Sequence, residues 1–521
     1  MELKKKNIHF NRIAKEARNQ ITLEEDVNIP DIKEDIESVL FTDCRVILEE
    51  VRAGEQKVHI RGKIVYTILY RSEETGRLCS LEGSIPIDEQ LYMDGVNSSN
   101  KVMAKTQVED FSVGIINSRK LSIRSILELY AYLQDLYDEE ITTGISGLNC
   151  EIRQKECDFT QLAVCKKDIV RFREMVNLPG NMPNVEQIIL SCMKVQDLEY
   201  KPMDGQLSVH GKVQMLVIYD GERDSRNQVF RTMMPFSTVV ECSGLNMNMI
   251  YQITHEILDS QVHLESDYDG EPRSFSVEMV LELDMKMYEP QKVGVLWDVY
   301  GIDKELVPKV SVMEYDVLED KLSGSIMAKE RAPMPENPES MPRILYSDGR
   351  CFLEKCEIKE QGIMLSGIVI CQMLFENEGA ENTAYESMQS IIPFNKKVEF
   401  PSDMQFDPAD YTCSVNVDCS DIQLAYDMEK AADVTVNVDY EILLFKKMQG
   451  HNVTDVDVKE MDADKYDKLP SMAVYFAKPG DTLWDMGKKY CVPIKKIQEL
   501  NNLPSDELRA GEKILIVRGS A

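Results

Sequence analysis

Val58-His59-Ile60-Arg61-Gly62-Lys63-Ile64-Val65-Tyr66-Thr67-Ile68-Leu69-Tyr70 is the stretch that decides the fold. Every second residue from Val58 to Tyr70 is apolar except Gly62, the pattern of a β-strand with one buried face. Two later stretches repeat it: Leu207, Val209, Gly211, Val213, Met215, Val217 and Tyr219, then Ile363, Leu365, Gly367, Val369, Cys371, Met373 and Phe375. A glycine shared at one point of a strand predicts a bulge or the close approach of another backbone.

Other landmarks keep step with the three glycines. Pro30, Pro179 and Pro335 precede them, and Pro86, Pro235 and Pro393 follow in Ile85-Pro86-Ile87, Met234-Pro235-Phe236 and Ile392-Pro393-Phe394, which read as starts of a further strand. Alternating runs open again at Ser122-Ile123, Ser276-Val277 and Asp433-Val434. The chain is therefore a tandem array with a period of about 150 residues. The expected fold is mainly β: three antiparallel, sandwich-like copies at 18–140, 167–291 and 326–446, each long enough for its own core. Linkers are expected near 141–166, 292–325 and 446–471. The last (447–471 after the third copy) is rich in Asp and Lys, and is expected to be flexible.

At 521 residues the chain is too long for one core. Its net charge of −31 argues against nucleic acid and anionic membranes or polymers as ligands of most of the surface. The final segment differs, with seven Lys and Arg against six Asp and Glu between Met472 and Val517. The polar start through Asn19 carries no apolar run of leader length, and no 18-residue apolar stretch follows. A cytoplasmic address without direct membrane insertion is the expectation. Thirteen scattered cysteines without a Cys-x-x-Cys pair read as reduced, mostly buried thiols.

Catalytic and metal motifs are not found. No Gly-rich loop ends in Gly-Lys-Ser/Thr, and no Gly-x-Ser-x-Gly elbow occurs. After His255-Glu256, Asp259 stands where a second zinc-binding His would be needed. Asp462, Asp464 and Asp467 lack the glycine and glutamate of a calcium loop. Asp267 to Gly270 reads as a hairpin turn. Leu245-Asn246-Met247-Asn248-Met249 reads as core filling more readily than as an adaptable contact surface. No cofactor, no metal and no enzymatic activity are expected.

The last fifty residues change character. Val474-Tyr475-Phe476-Ala477 alternates like a strand and stops at Lys478-Pro479-Gly480. Asp481 is the expected N-cap of a helix whose buried face is Leu483, Met486, Gly487 and Tyr490. A second helix is expected to open at Pro493, present Ile494, Ile497 and Asn501, and break at Leu503-Pro504. Leu508, Gly511, Ile514 and Ile516 supply a turn and closing strand. This order resembles the LysM domain, a small βααβ module; Gly487, Glu512 and Val517 depart from its usual residues. The resemblance implies a shallow groove between two loops, Gly480-Asp481-Thr482-Leu483 and Asn502-Leu503-Pro504-Ser505, binding either a glycan or a protein. Trp484 lies one residue off the apolar face, as either a partner-binding anchor or a lid on the helix–strand junction.

Repeated β-domains ending in such a module resemble the SPOCS-domain and LysM spore coat morphogenetic proteins of spore-forming clostridia. The first copy is the most family-like, from Ile21-Thr22-Leu23-Glu24-Glu25 to Asn28-Ile29-Pro30-Asp31. The resemblance implies a non-enzymatic scaffold, made in the mother cell and placed at the forespore surface. It would bind a coat-basement ATPase of the SpoIVA type through its LysM, with other coat proteins as further partners. The competing expectation is a LysM that holds peptidoglycan or another N-acetylglucosamine polymer. Several weak contacts on one chain would add by avidity in either case.

Overall fold

The computed structural model describes residues 1–222, 225–333, 343–378, 383–400, 406–426, 431–461, 470–503, 505–506 and 508–518. Among the described residues eighteen long strands come first, six to a copy. The first copy holds β1 (Glu2–Asn28), β2 (Ile36–Gly54), β3 (Lys57–Ser72), β4 (Leu78–Tyr92), β5 (Val102–Asn117) and β6 (Lys120–Ser146). The second holds β7 (Cys150–Asn177), β8 (Val185–Met203), β9 (Gln206–Gly221), β10 (Ser225–Glu241), β11 (Ile250–Ser266) and β12 (Pro272–Gly301). The third holds β13 (Lys304–Pro333), β14 (Arg343–Lys359), β15 (Gly362–Glu378), β16 (Thr383–Glu399), β17 (Tyr411–Tyr426) and β18 (Ala431–Glu460).

Each copy builds the same two antiparallel sheets. Its second, third and fourth strands form one, and its first, sixth and fifth form the other, with the sixth in the middle. Neither sheet closes on itself. The repeated alternating stretch is the central strand β3, β9 or β15, and all eighteen of its apolar side chains are buried. Each such burial contributes about 1.5–3 kcal/mol before the entropy of ordering is counted.

Gly62, Gly211 and Gly367 lie where a neighbouring strand bulges: register shifts fall just past Leu48, Gln196 and Leu353. A methyl group on Gly62 would lie 2.3 Å from the Ile47 carbonyl oxygen, and one on Gly367 would lie 2.1 Å from that of Phe352. The space exists only for hydrogen. Pro86, Pro235 and Pro393 sit inside β4, β10 and β16 rather than at strand starts. All three strands are sheet edges, where a missing N–H costs no ladder bond. The turn at Asp267 forms as expected, with its carboxylate accepting from the N–H groups of Asp269 and Glu271.

The expected linkers are a correction. Apart from the turns at 147–149 and 302–303, residues 141–166, 292–325 and 446–460 are strand, because the first and last strands of each copy run 27–30 residues and extend beyond their own sandwich. Residues 462–469, which include the three linker aspartates, lie outside the described residues. The extensions form three two-stranded ribbons, β1–β6, β7–β12 and β13–β18, which meet in a shared hub. Ile8, Phe10, Ile141, Phe159, Val293, Val295, Met313 and Tyr315 make its core.

Phe10, Phe159 and Tyr315 are spaced along the chain as Gly62, Gly211 and Gly367 are, so one repeat position supplies all three rings. Their centroids lie 6.3, 6.1 and 4.6 Å apart. The hub is thus pseudo-threefold. A second shared core joins Leu40 and Phe41, Ile189 and Leu190, and Leu345 and Tyr346 with Leu69, Ile218 and Leu374. Beside it, Arg350 pairs with Asp43 at 2.8 Å and Lys194 with Asp348 at 2.6 Å, each across a junction between copies. At the third junction Cys192 takes the carboxylate's place, and Arg45 donates to Ser260 instead.

Candidate functional site

After the third copy the chain makes β19 (Met472–Phe476), α1 (Leu483–Tyr490), α2 (Ile494–Asn501) and β20 (Lys513–Val517). The two strands pair antiparallel, Phe476 opposite Lys513. Leu483, Met486, Tyr490, Val492, Ile497, Ile514 and Ile516 form a separate core with Ala477. Asn501 ties α2 to β20: its amide donates to the Leu515 carbonyl at 2.8 Å and its Oδ1 accepts from the Leu515 N–H at 2.7 Å.

The N-cap of α1 is Thr482, correcting the expectation of Asp481. Thr482 Oγ1 accepts from the Asp485 N–H, and the Asp485 carboxylate accepts from the Thr482 N–H, a reciprocal capping box. Asp481 instead braces the preceding turn. Its Oδ2 accepts from the Tyr475 hydroxyl and the Lys478 N–H, both at 2.8 Å, and the latter bond and then the hydroxyl hold this carboxyl below its ordinary range. Pro493 caps α2 from outside rather than occupying its first turn. The helix ends as Asn502 turns left-handed, at φ 51°.

Of the expected groove residues, Gly480, Asn502 and Ser505 are exposed, Asp481, Thr482 and Leu503 half-buried, and Leu483 is core. Pro504 lies outside the described residues. Trp484 is 6% exposed, and what buries it lies in the hub. Its Nε1 donates to Asp298 Oδ2 at 2.9 Å, and its ring meets Tyr300 edge-on at 4.9 Å. Lys488 Nζ reaches both oxygens of Asp298 at 2.7 and 2.8 Å. The Tyr300 hydroxyl donates to the Val492 carbonyl at 2.9 Å. Burial raises that phenol well above its ordinary range, so it remains a donor at any physiological pH.

This dock was not visible in the sequence. Asp298 is aimed by a bulge at Trp297, where β12 slips against β7 between Leu296 and Asp298. Gly487 belongs to the same contact: a methyl group there would lie 2.3 Å from the Tyr300 hydroxyl. The one available signal was Gly487 itself, a glycine costing α1 about 1 kcal/mol of helix propensity relative to alanine without a local reason.

On its solvent side the module carries an apolar stripe. Met472, Val474 and Phe476 alternate along β19 at 62%, 57% and 56% exposure, with Lys513 over the Phe476 ring. Among the described residues, no helix is long and apolar enough to cross a membrane, and no group of three or more His, Cys, Asp or Glu side chains could hold a metal ion.

These features define a class: an array of two-sheet β-domains ending in a βααβ binding module. Residues 35–116 and 184–265 each match the SipL, SPOCS domain family, and residues 475–517 match the LysM domain family. The chain thus carries two SPOCS domains of the SipL family and a C-terminal LysM domain. It is 36% identical over 53 residues to the Bacillus subtilis (strain 168) protein described as "Uncharacterized protein YkzQ", covering 10% of this chain and 71% of that one. No solved structure matches the chain.

Proposed function

We propose that this protein is a non-enzymatic scaffold of endospore coat assembly. It stands at the forespore surface on the mother-cell side and binds a coat-basement ATPase of the SpoIVA type through its LysM domain. The third copy, 326–446, is a third SPOCS domain on this reading, since it repeats the strand order of the two matched copies.

One observation carries the reading. The LysM is held to the hub by α1 and leaves two surfaces open, the groove loops and the Met472–Val474–Phe476 stripe. An exposed apolar stripe favours a protein partner, because sugar polymers are recognised mainly through polar groups and aromatic faces. A fixed dock also gives the partner one orientation relative to the acidic array, as a scaffold requires. The groove keeps the second reading alive: Gly480, Asn502 and Ser505 are accessible to a peptidoglycan chain.

The test is a titration of the full chain against a purified ATPase of that type and against soluble peptidoglycan fragments, each repeated with Phe476→Glu. Saturable binding to the ATPase that Phe476→Glu weakens at least about tenfold supports the scaffold. Binding to the sugar alone, untouched by that substitution, makes the glycan reading correct.

A further inference from the structure

Cys356 on β14 and Cys413 on β17 hold their sulfurs 3.1 Å apart, across the two sheets of the third copy. The position recurs in every copy. Cys356 lies opposite Leu365, as Tyr200 lies opposite Val209 and Val51 opposite Ile60. Cys413 lies opposite Leu444, as Tyr251 lies opposite Met287 and Val102 opposite Leu133. The cross-sheet couple is therefore Val51 with Val102 in the first copy and Tyr200 with Tyr251 in the second, where the rings meet edge-on at 6.3 Å. The valines fill the space by bulk, and the tyrosines by bulk and by a bond from the Tyr251 hydroxyl to the Tyr200 carbonyl at 3.1 Å. The third copy fills it with two thiols in contact, both half-buried, whose added property is that they can be joined.

We propose that Cys356 and Cys413 are a redox modification site, forming a reversible disulfide that clamps the two sheets of the third copy together. The oxidant is a low-molecular-weight disulfide of the glutathione class. Either sulfur of the contact can be the donor, and the one that gives up its proton first, here Cys413, is the attacking sulfur. Its thiolate attacks one sulfur of the oxidant, whose S–S bond breaks to release one thiolate and leave a mixed disulfide on Cys413. Neutralising Cys413 removes the acceptor that held the Cys356 proton. Cys356 then deprotonates, attacks Cys413 Sγ and expels the second thiolate. Two protein thiols become one disulfide, and their two electrons and two protons end on two reduced small thiols. The bond closes a long loop, between residues 57 apart in sequence, which is the case where a cross-link restricts the unfolded chain most.

The experiment equilibrates the full chain in glutathione buffers from reducing to oxidising, traps free thiols by alkylation and maps the peptides. A linked peptide containing Cys356 and Cys413, two hydrogens lighter than the reduced pair, should appear before the remaining cysteines react. The oxidised protein should also unfold at a higher denaturant concentration than the reduced one. Cys356→Val combined with Cys413→Val copies the couple of the first copy, so it should fold like the reduced parent and lose the response to oxidant. Oxidation at other cysteines without the linked peptide overturns the proposal. So does a linked peptide that leaves the unfolding midpoint unmoved.

Discussion

Trp484 donates its indole N–H to Asp298, a residue of the second repeat that lies 186 positions earlier in the chain and 2.9 Å away in space. The LysM domain therefore does not hang from its tether. It is seated on the hub by a carboxylate that accepts from both the indole and the Lys488 ammonium.

Asp298→Ala should release that seat. Hydrogen bonds to a charged group contribute about 1.5–3 kcal/mol, so the docked population should fall roughly tenfold or more. In a Trp297→Phe background, which leaves Trp484 as the one tryptophan, its emission should shift to the red and the radius of gyration should rise. Unchanged emission and size would mean that Tyr300, through its ring packing and its bond to Val492, is enough to hold the domain.

Gly487→Ala should also undock the domain, despite alanine's better helix propensity. The added methyl group meets the Tyr300 hydroxyl at 2.3 Å and the Val492 carbonyl oxygen at 2.9 Å. Tyr300→Phe removes the first obstacle and costs about 1 kcal/mol for the lost bond to Val492. The two substitutions together should therefore be less damaging than their sum, read by the same emission shift in a double-mutant cycle. Strict additivity would place the strain at Val492 alone.

Phe159→Ala should destabilise the whole array by about 3–5 kcal/mol, since the ring is fully buried between Phe10 and Tyr315 at the meeting point of the ribbons. Phe476→Ala, at 56% exposure, should move the urea midpoint hardly at all, within about 0.5 kcal/mol. If both variants unfolded at the same urea concentration as the parent, the hub would not be part of the cooperative unit.

Lys194→Met should weaken the junction of the second and third copies in a pH-dependent way. Burial alone would raise Asp348, but Lys194 and then Arg350 outweigh it and hold the carboxyl below its ordinary range. A depressed folded-state value gives stability that is present above the unfolded pKa, about 3.9, and lost as pH falls through the folded one. The Lys194 side chain is 36% exposed, beside a cavity of about 940 Å³ between the two copies, so screening limits the loss to roughly 1 kcal/mol at neutral pH. Urea midpoints of variant and parent should converge as the pH falls through the depressed folded-state value of the carboxyl, below which it is protonated in both. A deficit constant from acid to neutral pH would assign the effect to lost packing of the lysine stem.

The residues of β3, β9 and β15 determined their own structure. Alternation states which face is buried whatever covers it, and a glycine in step with a bulge states where a backbone comes close. The LysM core was legible for the same reason, because its contacts lie within a few turns of one another in sequence. The opposite faces of the central strands were legible only in hindsight. Ile68-Leu69-Tyr70 and Leu216-Val217-Ile218-Tyr219 lose their alternation, the mark of a strand covered on both sides, here by the other copies.

Tertiary structure alone decided the rest. The stretches expected as linkers are polar and apolar in mixed order, since each ribbon buries one short patch, such as Ile8 and Phe10, against two other ribbons rather than within itself. The same holds for Trp484 and Cys356. Local sequence gives each a character, an aromatic beside a helix face or a thiol on a strand. What each does depends on Asp298 and Cys413, which the long-range pairing of strands brings within bonding distance.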